Sequence, residues 1–450
     1  MPLAYKQFNP NALYYGGSNK SHVPPFSKIV VVLALAATSG LASAAGFQLL
    51  EQNLSGLGNS YAGSAAVAEN ASTIFTNPAG MTQLMDREFS GGLAVIAPSF
   101  KFTDKGSVVG TVFKGNGGDA GQTGYVPNAY MSWALNKDLY VGVGFSAPFG
   151  MKTEYSSPWV GSAQANSFGI ETYNINPSIA FRVNDAVSVG GGVSWQHIDA
   201  TYKRLAATGA VPGVPASVTT ASTVTAKLSA DGLGWNVGAL FNVSPETKLG
   251  VSYRSTVTQN TTGDIAVTGP SAGFNSSQSS GAKADLKLPD TFIVSGTHQL
   301  NNTWELLGDV SWTGWSSIPK LDLVRTSGAS NGAVAQSLDT DFRDTTRIAV
   351  GANYRYRDDL TLKFGFAVDQ SPVKSETTRL VSLPDADRTQ LSTGAQWKLS
   401  NGAKLDVGVA YLTIADTSIN NNQLAKARGL VVGTYSGSAW ILGAQYSMPF

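Results

Sequence analysis

The sequence predicts an all-β fold, a transmembrane antiparallel β-barrel of about fourteen strands with an N-terminal plug inside its lumen. Three features predict it. Many segments alternate apolar and polar residues, the connections between them alternate in length, and residues 45–86 lack the alternation. The barrel itself is expected to occupy residues 87–450, with the plug in residues 45–86.

The alternating segments predict strands with one apolar face and one polar or small face, because successive side chains of a strand point to opposite sides. In residues 360–369, one face holds Leu360, Leu362, Phe364, Phe366 and Val368, and the other holds Thr361, Lys363, Gly365, Ala367 and Asp369. Residues 139–145, 347–356 and 404–411 repeat the pattern. A soluble sandwich and a membrane barrel would both produce such faces, so alternation alone does not separate them.

The connections between strands separate the two folds. Short polar turns are expected at residues 136–137, 184–185, 244–245, 301–302, 357–358 and 401–402. Long connections rich in Gly, Ser, Thr and Asn lie between them, for example residues 205–221, 265–280 and 326–340. An outer-membrane barrel places short turns at its periplasmic end and long loops at its extracellular end. The alternation in length therefore favours the barrel.

Both ends of the chain indicate export to an outer membrane. Residues 29–37 form an apolar run preceded by Lys28, and Ala42-Ser43-Ala44 has the form that signal peptidase cleaves, so residues 1–44 are expected to be a removed signal peptide. This leader is long, which an over-extended gene start would explain. The last strand ends on Phe450, the aromatic end that barrel-assembly machinery reads. We therefore expect the outer membrane of a Gram-negative bacterium.

Composition excludes several classes of protein. A net charge of +1 with 14% charged residues gives no basic excess for nucleic acid. With no cysteine, disulfides and thiol catalysis are excluded. His22 falls in the leader, His197 on an apolar face and His298 at a strand end, and none has a convincing Ser partner or metal-ligand spacing. No catalytic residue, metal or cofactor is expected, and the chain is not predicted to be an enzyme.

Residues 45–86 have two interpretations. The segment is rich in small residues and contains Asn77-Pro78-Ala79-Gly80-Met81. A barrel of this size encloses more space than its own side chains fill, so a segment of about forty residues could fold inside it as a plug. The other interpretation is a disordered periplasmic tail.

A resemblance to a known family rests on many stretches that occur in one order. They include Ala45-Gly46-Phe47-Gln48-Leu49, Asn77-Pro78-Ala79-Gly80-Met81, Gly234-Trp235-Asn236-Val237-Gly238, Val251-Ser252-Tyr253-Arg254-Ser255, Phe342-Arg343-Asp344-Thr345-Thr346-Arg347, Ser371-Pro372-Val373 and Pro384-Asp385-Ala386-Asp387-Arg388. Together they resemble the long-chain fatty acid transporter (FadL) family over essentially the whole mature chain. The resemblance implies an uptake channel for long-chain fatty acids or similar hydrophobic molecules.

The resemblance also implies a mechanism. A ligand is captured at apolar extracellular loops, for which residues 210–215 are a candidate, and moves to a pocket in the barrel. It then leaves sideways through a gap made by a kinked strand, which the plug contacts through Asn77, Pro78 and Ala79. Residues 139–150 are the candidate kinked strand, because Gly142, Gly144 and Pro148 would weaken regular pairing there. Glycines that merely ease curvature are the alternative.

Strand parity selects candidate charged residues of the lumen. Arg204 shares the polar face of its strand with Ser194 and Gln196, and Arg343 shares a face with Arg347. By resemblance, Arg204 and Arg343 hold the ligand carboxylate; an ordinary lumen ion pair is the alternative for each. Asp369 and Arg388 are expected to form an ion pair across consecutive strands.

Other functions remain open at this stage. An uptake channel for uncharged aromatic hydrocarbons belongs to the same family and needs no carboxylate partner. A general porin would have an open pore, which the predicted plug argues against. The expected partners are hydrophobic small molecules, outer-membrane lipid and the barrel-assembly machinery, and the expected oligomeric state is a monomer.

Overall fold

The computed structural model describes residues 46–109, 112–207 and 221–450. The predicted signal peptide, residues 1–44, and the candidate capture loop, residues 210–215, lie outside them. The described β segments are β1 (Arg87–Asp104), β2 (Gly124–Ala134), β3 (Leu139–Ser146), β4 (Gly150–Glu154), β5 (Ser167–Arg182), β6 (Val187–Ala207), β7 (Ala221–Asn242), β8 (Thr247–Arg254), β9 (Val257–Thr268), β10 (Ser280–Leu288), β11 (Thr291–Gln299), β12 (Trp304–Thr313), β13 (Leu321–Arg325), β14 (Val334–Leu338), β15 (Thr345–Arg357), β16 (Leu360–Asp369), β17 (Arg388–Lys398), β18 (Lys404–Asn422) and β19 (Leu430–Pro449).

These segments close into a ring, because β1 pairs antiparallel with β2 along one edge and with β19 along the other. Three barrel strands are each interrupted once. β3 and β4 both pair with β5, β8 and β9 both pair with β7, and β10 and β11 pair with β9 and β8. The β13–β14 pair is an additional hairpin. The described residues thus form a closed fourteen-strand barrel, which confirms the predicted fold class.

The two faces of the wall have the chemistry of a membrane barrel. Phe364 and Phe366 are each 43% exposed on the outside, and Leu391 is 66% exposed. The neighbouring inward residues Lys363 and Gln390 are 2% and 5% exposed. The apolar side chains thus lie outside and the polar side chains lie inside. This is the reverse of a soluble protein, because the outer face of a membrane barrel contacts lipid. Within the described ranges, none of the helices has the length and hydropathy to cross a membrane.

Residues 46–86, here called the plug, fold into short turns against the inner wall. The plug contains one short α-helix, α1 (Thr73–Thr76), and 3-10 turns at Leu57–Asn59 and Pro78–Gln83. Outside the plug lie helix α2 (Ala272–Gln278) and 3-10 turns at Trp315–Ser317 and Leu424–Lys426. Leu57, Ile74 and Met81 of the plug are fully buried. The described part of residues 45–86 therefore lies in the barrel interior.

A buried ion cluster anchors the middle of the plug to the wall. The Lys363 ammonium on β16 donates to the Ser55 carbonyl at 2.9 Å and to the Glu69 carboxylate at 2.8 Å. It also lies 3.0 Å from the Asp406 carboxylate on β18. Such a cluster is stable only while every charge keeps its partner. It therefore holds residues 55–69 in place.

Candidate functional site

The wall is interrupted where β3 ends at Ser146 and β4 begins at Gly150. On one side, β5 pairs with both segments. On the other side, the β2–β3 ladder runs only from Ala129 to Ala134, so residues 124–128 of β2 have no ladder partner on β3 or β4 among the described residues. We call this opening the gap. A break here leaves space between two neighbouring strands of the barrel.

A cavity of about 540 Å³, the wall cavity, passes through the gap. Its lining includes Arg347, Asp369 and Arg388, whose side chains belong to the lumen. It also includes Tyr125 and Tyr173, which are 68% and 39% exposed on the lipid side. One continuous cavity therefore touches both faces of the wall. Its volume is in the range of small-molecule sites.

The first residues of the plug, 46–52, cover the gap from inside; we call them the leading segment. The Leu49 amide donates to the Pro148 carbonyl and the Gly150 amide donates to the Phe47 carbonyl, each at 2.9 Å. The Gln52 side chain bonds both backbone groups of Ala147. These bonds replace the missing β-ladder, since buried backbone groups need partners. Movement of the leading segment would remove those partners.

The leading segment is held at its start by an ion pair and an aromatic cluster. The Gly46 amide donates to Asp385 Oδ2 at 3.2 Å, while Arg388 Nη2 donates to the Gly46 carbonyl at 3.1 Å. The Phe47 ring lies 4.8 Å from Trp315 and 5.9 Å from Phe149, centroid to centroid, with edge-on geometry. Aromatic contacts of this kind contribute about 0.5–1.5 kcal/mol each beyond burial.

The structure places the predicted break at Pro148 but gives the glycines another role. Gly142 and Gly144 lie in the regularly paired part of β3. A Cβ on Gly142 would lie 2.6 Å from the Ile74 side chain and 2.7 Å from the Met81 sulfur, both in the plug. A Cβ on Gly144 would lie 2.7 Å from the Tyr130 ring. These glycines make room for neighbouring side chains and do not interrupt pairing.

Asn77, Pro78 and Ala79 contact a different part of the wall from the one expected. Asn77 Nδ2 donates to the Ala239 carbonyl of β7 at 3.0 Å. A Cβ on Gly190 of β6 would lie 2.5 Å from the Ala79 amide nitrogen. The motif thus docks on β6 and β7, whereas the leading segment contacts the kink. The reason is geometric, because the 3-10 turn at Pro78–Gln83 reaches from β6, where Ala79 lies at Gly190, to β3, where Met81 lies at Gly142.

Arg204 faces the lumen, as parity predicts, because the β6–β7 register runs without a bulge from Val187 to Ala207. It lies seventeen residues beyond the start of β6, past the roughly 9–11 residues that span a membrane. There burial, together with the positive charge of Arg428, lowers the pKa of Arg204 to about 10. Arg343 precedes β15 and donates to the Ser371 carbonyl at 2.8 Å. Neither arginine lines the wall cavity.

The expected ion pair between Asp369 and Arg388 is replaced by another. The two residues are cross-strand neighbours in the β16–β17 register. Arg388 Nη2 instead lies 2.8 Å from Asp385 Oδ1, and within the described chain it makes no contact of 4.0 Å or less with Asp369. Asp385 comes closer because it is three residues before Arg388, where the loop turns into the barrel. Asp369 also faces Arg347 across the β15–β16 ladder.

Two residues that hold the leading segment escaped the sequence analysis. Asp385 is in a stretch that carries the family resemblance, so its place in the loop was visible but its contact with Gly46 was not. No sequence pattern marks Gln52, because its bonds to Ala147 join residues 95 positions apart.

Comparison with known proteins identifies the family. A model described as "Outer membrane protein transport protein (OMPP1/FadL/TodX)" matches residues 35–450. The chain belongs to this family. Its members are outer-membrane transport proteins, so the expected localisation in the outer membrane is confirmed.

Curated relatives match over nearly their full length. The "Long-chain fatty acid transport protein" of Escherichia coli K12 is 29% identical, covering 94% of this chain and 99% of the relative. The "47 kDa outer membrane protein" of Pasteurella multocida is 33% identical, covering 86% and 91%.

Solved structures of the family share the fold. A FadL homologue from Pseudomonas aeruginosa superimposes with a TM-score of 0.82 at 22% identity, covering 90% of this chain and 100% of that one. The Pseudomonas putida toluene transporter TodX gives a TM-score of 0.64 at 16% identity, covering 91% and 99%.

Proposed function

We propose that this FadL-family chain takes up long-chain fatty acids or similar hydrophobic molecules and releases them sideways into the membrane through the gap. The observation that carries the proposal is the wall cavity, which touches lumen residues and lipid-facing tyrosines at once. The names of the curated relatives support a fatty acid as the ligand.

Burial of the hydrocarbon tail supplies the affinity. Each buried methylene contributes about 0.8 kcal/mol, so a long-chain tail gains on the order of 12 kcal/mol before the costs of association. The wall cavity offers apolar contacts through Phe47, Ile96 and Phe149. The same gain is available in membrane lipid, so lateral exit needs no step in which the tail meets water.

The leading segment acts as the gate in this proposal. It bonds to the backbone of residues 147–150 and lines the lumen side of the wall cavity. Opening requires only that the hydrogen bonds between the leading segment and residues 147–150 break. The Lys363 cluster keeps the rest of the plug in place.

A disulfide between the leading segment and the gap tests the gate. Gln48 and Phe149 form an antiparallel β-bridge, and residues directly opposite each other have Cα atoms about 4.5–5.5 Å apart, within disulfide range. The chain has no cysteine, so Gln48→Cys with Phe149→Cys gives one possible pair. Oxidised protein is expected to bind oleate without transporting it, and a reductant is expected to restore transport.

The two single-cysteine variants control for loss of the original side chains. Equal oleate uptake by the oxidised and reduced double variant would show that the leading segment is not the gate. If the wild-type chain does not bind oleate, the transport proposal itself is overturned.

Uptake of uncharged aromatic hydrocarbons is the second candidate function. It is favoured by the structural likeness to the TodX toluene transporter, which shares the fold. Arg204 and Arg343 are proposed to hold a carboxylate, and they favour the fatty acid. The captured ligand is proposed to meet residues 210–215 first.

The proposed function also includes how the chain is exported, assembled in the membrane and used as a monomer. Phe450 is 51% exposed at the end of β19 and is proposed as the residue that assembly machinery reads. Residues 1–44 are proposed to be the removed signal peptide. A barrel with its own plug and its own gap needs no second copy, so a monomer is proposed.

A further inference from the structure

A second, smaller cavity lies deeper in the barrel. It has a volume of about 80 Å³ and is lined by Arg254, Gln196, Phe75 and Phe149 among others. We call it the inner cavity. It lies beside the second interruption of the wall, where β8 ends at Arg254 and β9 begins at Val257.

The Arg254 guanidinium has only neutral partners. It donates to Ser194 Oγ at 2.9 Å, to the Phe75 carbonyl at 3.0 Å and to Asn176 Oδ1 at 3.3 Å. Its carbon also lies 4.1 Å from the centre of the Phe75 ring. All 30 Asp and Glu residues of the chain fall in the described ranges, and none comes within 4.0 Å of this guanidinium. Enclosing a cation without a counter-charge is costly.

Gln196 supplies a second, independent sign of a ligand. The residue is 2% exposed and lines the same inner cavity as Arg254. Its Oε1 accepts from Asn174 Nδ2 at 3.5 Å, while its Nε2 is buried and has no hydrogen-bond partner among the described residues. Buried donors are normally paired. An unpaired amide and an uncompensated guanidinium thus border one cavity.

The arginines that border the wall cavity, Arg347 and Arg388, have acidic neighbours, unlike Arg254. Arg347 and Asp369 border the inner cavity as well, and so does Asp309. Arg388 is paired with Asp385, and Arg347 faces Asp369 across the β15–β16 ladder. Arg388 thus has a bonded carboxylate, whereas Arg347 has an acidic cross-strand neighbour but, within the described chain, no ion pair of 4.0 Å or less. The cross-strand neighbours of Arg254 are the neutral Asn236 and Thr291, so Arg254 is the cation of the inner cavity whose charge a ligand would balance.

We propose that Arg254 and Gln196 bind the carboxylate of the ligand inside the barrel, an inference that rests on the proposed uptake function. Arg254 supplies charge-assisted hydrogen bonds and Gln196 supplies the second donor. At about 80 Å³, against about 540 Å³ for the wall cavity, the inner cavity accommodates a headgroup but not a long chain.

The position of the tail follows from the lining of the two cavities. Gln48, Leu49, Leu50 and Phe149 border both the inner cavity and the wall cavity. A tail whose carboxylate is held at Arg254 must therefore extend toward the leading segment and the gap. Headgroup binding at Arg254 orients the ligand tail-first toward the exit.

The test compares ligands that differ only in the headgroup. Binding of oleate and of oleyl alcohol is measured on purified wild-type protein, Arg254→Gln, Arg254→Lys and Gln196→Leu. A lost charge-assisted bond lowers oleate affinity by about tenfold to a hundredfold in Arg254→Gln. Oleyl alcohol affinity is expected to stay within about twofold, because tail burial is unchanged. Arg254→Lys is expected to keep most of the oleate affinity, and Gln196→Leu to show a smaller selective loss.

A purely structural role for Arg254 predicts a different result. If Arg254 only tethers Phe75 of the plug, Arg254→Gln lowers the affinity for both ligands by the same factor, and the inference is overturned. Unchanged oleate affinity overturns it as well. Arg355→Gln, an exposed arginine on β15, is the matched control. Failure of the wild-type chain to bind either ligand would instead count against the uptake function.

Discussion

The side chain of Gln52 satisfies both backbone groups of Ala147 in the gap. Gln52 Nε2 donates to the Ala147 carbonyl at 2.8 Å, and Gln52 Oε1 accepts from the Ala147 amide at 3.2 Å. An amide side chain thus takes the position that a neighbouring strand would occupy in an unbroken ladder. The leading segment and the gap therefore form one hydrogen-bonded unit.

Replacing Gln52 is expected to weaken the contact between the leading segment and the gap. Gln52→Leu keeps the side-chain volume but leaves the Ala147 amide and carbonyl unpaired, at a cost of about 1–3 kcal/mol for each buried group. Hydrogen exchange at the Ala147 amide should accelerate, and the thermal midpoint of the detergent-solubilised barrel should fall. Gln83→Ala is the control, since Gln83 makes a single long bond of 3.4 Å to Thr82. Unchanged exchange in Gln52→Leu would contradict the assigned contact.

Adding one methyl group to β6 is expected to displace the Asn77-Pro78-Ala79 motif. A Cβ on Gly190 would lie 2.5 Å from the Ala79 amide nitrogen, which is backbone and cannot rotate away. Gly190→Ala should therefore destabilise the folded protein by about 1–3 kcal/mol, as overpacking does. Unfolding in urea measures the change. Gly308→Ala is the control, because a Cβ there meets nothing within 4 Å. Equal stability of the two variants would show that the motif does not dock on Gly190.

Removing the Lys363 ammonium, the central cation of the buried ion cluster, is expected to lower the free energy of unfolding more than Gly190→Ala does. Lys363→Met leaves the buried Asp406 and the half-buried Glu69 without their shared ammonium, and breaking a buried pair costs about 3–5 kcal/mol. The free energy of unfolding in urea should fall by that amount, and the plug should become sensitive to protease. Lys398→Met, at the exposed end of β17, controls for the loss of charge. A variant as stable as the wild type would contradict the anchoring role.

The two proposed carboxylate partners near the extracellular side can be tested together. Arg204→Ala with Arg343→Ala is expected to reduce oleate uptake several-fold while toluene uptake is preserved, because only the acid uses a charge-assisted bond. Uptake into whole cells measures both ligands. Parallel loss of both would show a structural role, and unchanged oleate uptake would show that these arginines do not hold the carboxylate.

The number of strands and the two faces of the wall could be predicted from the sequence, because apolar and polar residues alternate along the membrane-spanning segments. The last strand was harder. β19 begins at Leu430, well ahead of the exposed apolar face that starts at Trp440, because its first residues lie above the membrane, where Val431 and Tyr435 are buried and no lipid-facing alternation is needed. The interruptions at residues 255–256 and 289–290 were also missed, since a strand resumes its alternation after each break.

The candidate site was less predictable than the fold. Arg388 was placed correctly in the lumen by parity, yet its partner depends on how the loop before β17 turns, which strand periodicity does not encode. The same holds for the leading segment. Its contacts with residues 147–150 join distant parts of the chain, and only the folded barrel brings them together.

The Lys363 cluster holds Ser55 and Glu69, which come after the residues that cover the gap. In the proposed mechanism, a plug anchored at its middle uncovers the side of the barrel while it still fills the bore. Hydrophilic antibiotics and bile salts would meet the same obstruction whether the side exit is open or shut. Under the proposed function, hydrophobic nutrients therefore enter without weakening the outer membrane as a permeability barrier.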